Sequence, residues 1–125
     1  MTAWIDTARV VAAANADGEF ALQARLWNAT ITIANGADVI ALTVAQGRVA
    51  SAVANAAAAQ VRISGPPSGW DEMLRPIPKP FYHDLRAAAA HHGFAIEGDL
   101  MHTAAYYPAI RRLIELLREV RNGTL

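Results

Sequence analysis

Four histidines and a scatter of carboxylates are the residues whose chemistry first invites a catalytic or metal-binding reading. His83 is followed by Asp84, His91 by His92, and His102 comes three positions after Asp99. A metal ion needs ligands that converge within about 2–2.5 Å of one point. On one helix, His83 and His91 would lie about 12 Å apart along the axis, too far to share an ion. His91 and His92, being adjacent, point in different directions, and there is no His-Glu-x-x-His pair. These residues predict no metal site and no cofactor. Proton transfer is the chemistry they leave open: His83, Asp84 or Glu97 could act as general acid or base if they converge in a pocket. Nucleophile patterns fare no better, because Gly65-Pro66-Pro67-Ser68-Gly69 sets its first glycine one residue too far from the serine for a nucleophile elbow. Neither glycine-rich phosphate loop occurs.

The elements that would position these groups follow from periodicity. Residues 2–15 are alanine-rich, with Trp4, Ile5, Ala8, Val11 and Ala12 on one side at helical spacing, and Asp17-Gly18 ends that helix. Phe20, Leu22, Ala24 and Leu26 alternate with Ala21, Gln23, Arg25 and Trp27, which predicts a half-buried strand. Ile31 and Ile33 continue in a second strand, and Asn35-Gly36 predicts a tight turn with positive φ at both central positions. Strands over Val39–Val44 and Val49–Val53 follow, joined by a turn at Gln46-Gly47. Connections this short join antiparallel neighbours, so residues 19–54 read as a meander.

After the alanines 56–59, Val61-Arg62-Ile63 reads as a strand. Ser68 could then cap a short helix through Trp70 and Leu74, with Asp71 and Glu72 favouring its positive end. Pro76-Ile77-Pro78-Lys79-Pro80 predicts a stiff extended connection. Residues 80–92 show the spacing of an amphipathic helix ended by Gly93, and Phe94–Glu97 reads as strand. Asp99 offers an N-cap for a helix to Arg121, with Pro108 either in its first turn or at a kink. Arg111–Glu115 and Glu115–Arg118 fall at pairing distance on that helix.

Composition bounds the function. The chain has 125 residues, 54% hydrophobic and 18% charged, which predicts one globular domain over residues 1–125. Eleven basic residues balance eleven acidic ones, giving no broad attraction for nucleic acid. No apolar run approaches the roughly 18–20 residues of a membrane span. The absence of cysteine, of a signal peptide and of a peroxisomal address suits a cytoplasmic protein.

One stretch carries more. Gly93-Phe94-Ala95-Ile96-Glu97-Gly98-Asp99-Leu100, followed by the helical run from Tyr106 to Leu117, resembles the C-terminal half of the sterol carrier protein two family. Val61-Arg62-Ile63-Ser64 leading into a Trp70-bearing helix fits the same plan, and the likeness spans roughly residues 15–120. The resemblance implies an α+β fold: a five-stranded, antiparallel (mixed) sheet covered on one face by helices, in helix–sheet–helix order. It also implies a hydrophobic tunnel between the layers, holding a lipid or fatty acyl chain. The departure is residues 75–92, longer than a minimal member of that family would need.

On that architecture the tunnel would be lined by Leu26, Ile33, Leu42, Trp70, Met73, Phe81, Leu85, Phe94, Met101 and Tyr106. Leu42→Glu with Met73→Glu is then the expected way to abolish binding in a folded protein. The residues themselves add partial support: Val39–Ala45 is apolar on both faces, and Tyr106, Ile110, Leu113, Ile114 and Leu117 form a broad stripe. A second apolar layer fits a ligand surface, a homodimer contact or a partner enzyme. Two functions remain open: a carrier that binds an acyl chain, acyl thioester or polycyclic lipid without chemistry of its own, or a small enzyme using His83, Asp84 or Glu97 in the same pocket. A plain oligomerisation or partner-binding domain is the third.

Overall fold

The computed structural model describes residues 4–53 and 58–123. Helices α1 (Thr7–Ala16) and α2 (Gly18–Gln23) lead into strands β1 (Asn28–Asn35), β2 (Asp38–Ala45) and β3 (Arg48–Val53). Strand β4 (Val61–Gly65) and helices α3 (Pro67–Met73) and α4 (Leu85–His91) follow. The chain then forms β5 (Ala95–Gly98), α5 (Leu100–Ala105) and α6 (Tyr107–Asn122). Residues 2–3 of the expected first helix, the first part of the alanine run and residues 124–125 lie outside the described residues.

The segment Phe20–Trp27 is helix and turn, not strand. Asp17 decides this, because it closes α1 and its carboxylate accepts the Phe20 N–H at 2.8 Å to start α2. Phe20, Ala24 and Trp27 are fully buried, at i, i+4 and i+7, while Leu22 and Leu26 face out. The apparent period of two conceals this helical one. Five strands therefore remain, in the order β3-β2-β1-β4-β5. Neighbours pair antiparallel except β1 with β4, which run parallel and make the sheet mixed.

Two two-residue turns set the register of the meander. At the second, Gln46 and Gly47 both take positive φ, 48° and 84°, as a type I′ turn requires. The first is displaced by one residue from the expected Asn35-Gly36. Asn35 pairs with Asp38, so Gly36 and Ala37 are central, and positive φ is confined to Gly36 at 59°, the type II′ pattern.

Ile31, Ile33, Ile40, Leu42, Val61 and Ile63 form one buried face, joined in a single core with Val10, Phe20, Trp70, Met73, Leu85, Ile110, Leu113 and Leu117 from the helices. On the other face Thr32 and Ala41, opposite each other in register, are also buried. Pro108 divides the expected long C-terminal helix into α5 and α6, since it lacks an N–H and would crowd the preceding turn. Pro66, not Ser68, stands at the N-cap of α3, and Ser68 is exposed inside the helix. No helix among the described residues is long and apolar enough to cross a membrane.

The helix expected over residues 80–92 starts only at Leu85, capped by Asp84. Before it, the Tyr82 N–H donates to the Lys79 carbonyl at 3.0 Å across Pro80 and Phe81. Proline at the second position and φ 67° for Phe81 at the third match a type II turn. That third position favours glycine, and a bulky residue there costs about 1 kcal/mol or more.

Helix α6 is clamped to the α1–α2 junction by Arg112, not by the expected Arg111 and Arg118 pairs. Its Nη2 and Nε donate to the two Asp17 oxygens at 2.7 and 3.0 Å, and Nη1 donates to Glu115 at 3.1 Å. Arg111 instead lies 3.9 Å from Asp84, and Arg118 Nε donates to the Met73 carbonyl at 2.9 Å. The Arg112 hydrogen bond holds the Asp17 carboxyl below its ordinary value, against the opposing effect of burial. Both side chains are mostly covered, so Arg112→Met should cost about 2 kcal/mol, between exposed and buried pairs. A depressed carboxyl stabilises above its unfolded value and loses that contribution as pH falls through the folded one. Urea titrations should therefore show the gap to wild type closing below about pH 4, the region of the ordinary value of 3.8. A gap that stays constant into acid would contradict this.

Candidate apolar site at the end of the sheet

The Glu97-Gly98-Asp99 motif builds the site through backbone geometry. Gly98 has φ 119°, and a Cβ placed there would lie 2.2 Å from the Gln60 carbonyl oxygen. The Asp99 N–H donates to that same oxygen at 2.7 Å. Asp99 Oδ1 accepts from the Met101 and His102 N–H groups at 2.9 and 3.2 Å, which launches α5.

This launch brings His102 to Trp27. Trp27 Nε1 donates to His102 Nδ1 at 2.9 Å, which assigns the neutral imidazole proton to Nε2. The Trp27 ring stacks on Tyr106 at 4.9 Å between centroids and 9° between planes. The Tyr106 hydroxyl donates to the Leu26 carbonyl at 3.3 Å. Trp27 is fully buried, yet its neighbour Leu26 and the residues preceding His102, Leu100 and Met101, are 73%, 79% and 76% exposed. Leu22, one turn before Leu26, is exposed as well. Helix α5 contributes no buried residue of its own. It is held by the Asp99 cap, the Trp27–His102 bond and its packing against β5 and α6.

Of the ten residues expected to line a tunnel, Leu26 and Tyr106 meet here, and Met101 stands exposed next to His102 on α5. Ile33, Leu42, Trp70, Met73, Leu85 and Phe94 are buried in the core. Trp70 Nε1 donates to the Ala34 carbonyl at 2.9 Å, and its ring meets Phe94 edge-on at 5.0 Å. Phe94 lies on Gly65 and Gly69, where an added Cβ would come within 2.4 and 2.7 Å of its ring. Gly65 at the end of β4 and Gly69 in α3 are thus the seat of an aromatic ring. Phe81 stands apart on the proline-rich loop, stacked on His91 at 4.1 Å. The space between helices and sheet is filled by these side chains, and a tunnel is not shown among the described residues.

A separate groove of about 340 Å³, unanticipated from the sequence, runs between α1 and α6. Ala12, Ala13, Ala16, Leu116 and Val120 line it, with Arg9, Asp17 and Glu119 at its rim. The alanines of α1 are its only sequence signal, and alanine signals close packing equally well.

The proton-transfer candidates do not converge. His83 is exposed, and Glu97 lies on β5 opposite Arg62. Asp84 is occupied: it caps α4 and accepts from the Tyr107 hydroxyl at 2.6 Å. Burial first, then this bond to Asp84, push the Tyr107 hydroxyl up to about 12. His92 stacks on Tyr82 at 3.8 Å, and among the described residues no three His, Asp or Glu side chains gather as a metal site.

Comparison with known proteins identifies the architecture. The crystal structure of sterol carrier protein 2 superposes with a TM-score of 0.73 at 19% identity, covering 92% of this chain and 97% of that one. The fold is that of sterol carrier protein 2. A second sterol-carrier-like match is the solution structure of the conserved hypothetical protein TT1886, possibly sterol carrier protein, from Thermus thermophilus. Its TM-score is 0.64 at 18% identity, over 90% of this chain and 83% of that one. The UbiJ-SCP2 ubiquinone synthesis protein matches at 0.58 and 12% identity, over 89% and 90%. At these identities the likeness to sterol carrier proteins is one of fold. No protein-family model and no curated protein matches the chain.

Proposed function

We propose that this protein binds or carries a hydrophobic ligand, an acyl chain, acyl thioester or polycyclic lipid, taken up beneath α5. The observation that carries this reading is a fully buried Trp27, stacked on Tyr106 and bonded to His102, with exposed Leu26 beside it in the chain and exposed Leu100 and Met101 beside His102. Exposed apolar side chains gathered around one aromatic centre mark a binding surface more often than chance exposure does. Helix α5 covers that centre with no fully buried side chain of its own, and its displacement would open a path to Trp27. The sterol carrier fold is consistent with this role. Binding would rest on burial, about 25 cal/mol per Å² of apolar surface removed from water, without covalent chemistry. A chain without cysteine is suited to a reducing compartment such as the cytoplasm.

Native mass spectrometry of the protein as purified, followed by organic extraction, should reveal the ligand class. Titration with a fluorescent fatty acid then tests the site. Leu26→Asp with Met101→Asp should weaken binding at least about tenfold, the scale of losing one buried aliphatic contact. The thermal midpoint should hold, because both side chains already face solvent. Unchanged affinity in this variant would place the ligand elsewhere.

A further inference from the structure

The loop between α3 and α4 keeps an arrangement that its own turn disfavours. Phe81 occupies the left-handed position of the Lys79–Tyr82 turn at φ 67°, and the residue is 52% exposed. Four residues earlier, Ile77 is 84% exposed. One face of the Phe81 ring stacks on His91 at 4.1 Å, and the rest of the side chain is left to solvent. Pro76, Pro78 and Pro80 fix three φ angles and remove three donors, so the loop is stiff. It bends at 75–77 and turns at Lys79–Tyr82, where the sequence predicts an extended connection. Lys79 stands between the two apolar side chains in the sequence.

The loop also carries exposed cations. Arg75, Lys79, Arg86 and Arg111 share this region with the two carboxylates Glu72 and Asp84, while a third, Asp71, pairs with Arg121 at 2.9 Å. Both carboxylates are already engaged, Glu72 by Arg75 at 3.0 Å and Lys79 at 3.5 Å, and Asp84 by Tyr107. Arg75, Lys79 and Arg111 nevertheless keep 52%, 63% and 61% of their side chains exposed. A stiff apolar tip with an aromatic, carrying the exposed cations Arg75 and Lys79 along the same loop, has the chemistry of an interfacial anchor.

We propose that residues 76–81 dock this protein onto an anionic phospholipid surface, with Ile77 and Phe81 entering the headgroup boundary and Lys79 reaching back to the phosphates. The purpose of such docking, exchange of ligand with a membrane, rests on the hydrophobic-ligand reading above.

Flotation of the full chain with vesicles tests the surface directly. Wild type should float with phosphatidylcholine–phosphatidylglycerol vesicles and much less with phosphatidylcholine alone. Ile77→Ser with Phe81→Gly should reduce partitioning at least about tenfold. Glycine suits φ 67°, so this variant should keep its thermal midpoint. Lys79→Gln, which leaves the turn untouched, should reduce partitioning about fivefold on anionic vesicles and little on neutral ones. The docking proposal is overturned if wild type stays unbound, floats equally with neutral vesicles, or is matched by the variants. Fluorescent fatty acid uptake by the same samples separates the two ideas. Uptake without flotation overturns docking alone, whereas flotation without uptake overturns the ligand reading and leaves docking standing.

Discussion

Gly98→Ala should remove most of the protein's stability, about 4 kcal/mol or more. The backbone conformation at φ 119° is one that alanine adopts only with strain, worth about 1–3 kcal/mol. The larger part comes from what the methyl meets. It would sit 2.2 Å from the Gln60 oxygen and 2.9 Å from its carbonyl carbon, and both are backbone atoms. Gln60 cannot retreat: its N–H donates to the Thr30 carbonyl at 3.0 Å, its side-chain oxygen accepts from the Thr30 N–H at 2.7 Å, and its carbonyl accepts from Asp99. Relief therefore requires breaking the junction between β5 and α5, which uncovers Trp27. Chemical denaturation followed by tryptophan fluorescence should show the loss against a typical total of about 5–15 kcal/mol. Gly93→Ala is the control. Its φ is also positive, at 76°, but nothing lies within 4 Å of the added methyl, so only about 1 kcal/mol is at stake. A Gly98→Ala midpoint close to that of the control would refute the steric account.

Leu42→Glu with Met73→Glu should unfold the protein outright, where the sequence alone points to a folded variant that no longer binds ligand. Both native side chains are fully buried in one core, Leu42 between Ile31 and Ala52 across the sheet and Met73 at the end of α3. Truncating either to alanine would already cost about 2–5 kcal/mol. A glutamate adds a carboxylate with no partner, and even when protonated it leaves an unpaired polar group, worth a few kcal/mol more. The two sites together exceed the stability of an ordinary domain. Circular dichroism should show no cooperative thermal transition. A cooperative melt with lost ligand binding would mean that these residues line a cavity after all.

The contrast between these variants shows which signals the chain displays openly. The turns at Gly36 and Gln46-Gly47, the stripe of α6 and the Asp99 cap are legible, because each depends on residues within one turn of chain. Phe20–Trp27 misleads because two periods coexist in it, and only Asp17, acting as a cap for two helices at once, selects the helical one. Arg112 is overshadowed by Arg111 in the sequence because its main partner, Asp17, lies 95 residues away and on another element. The apolar site is half legible. Leu26, Met101 and Tyr106 stand out along the chain, but the Trp27–His102 bond that draws them together spans 75 residues and leaves no pattern. The six buried candidates are apolar for the sake of the core, a demand that sequence cannot separate from that of a ligand wall. Gly65 and Gly69 read as punctuation because only the folded chain shows Phe94 resting on them.

The two ends of the sheet bear on whether copies of a chain with this much exposed apolar surface would join strand to strand. Open edges offer rows of unpaired backbone groups, and a long flat one is a template for aggregation. Strand β5 is only four residues long, and Gly98 turns the chain away immediately after it. The pairing that leads to the opposite edge slips between Thr43 and Val44, an irregularity that interrupts the flat ladder beside β3. Strand β3 itself begins with an exposed arginine, Arg48. Among the described residues both borders are thus short or adjoin an interrupted pairing, features that discourage strand addition by a second molecule.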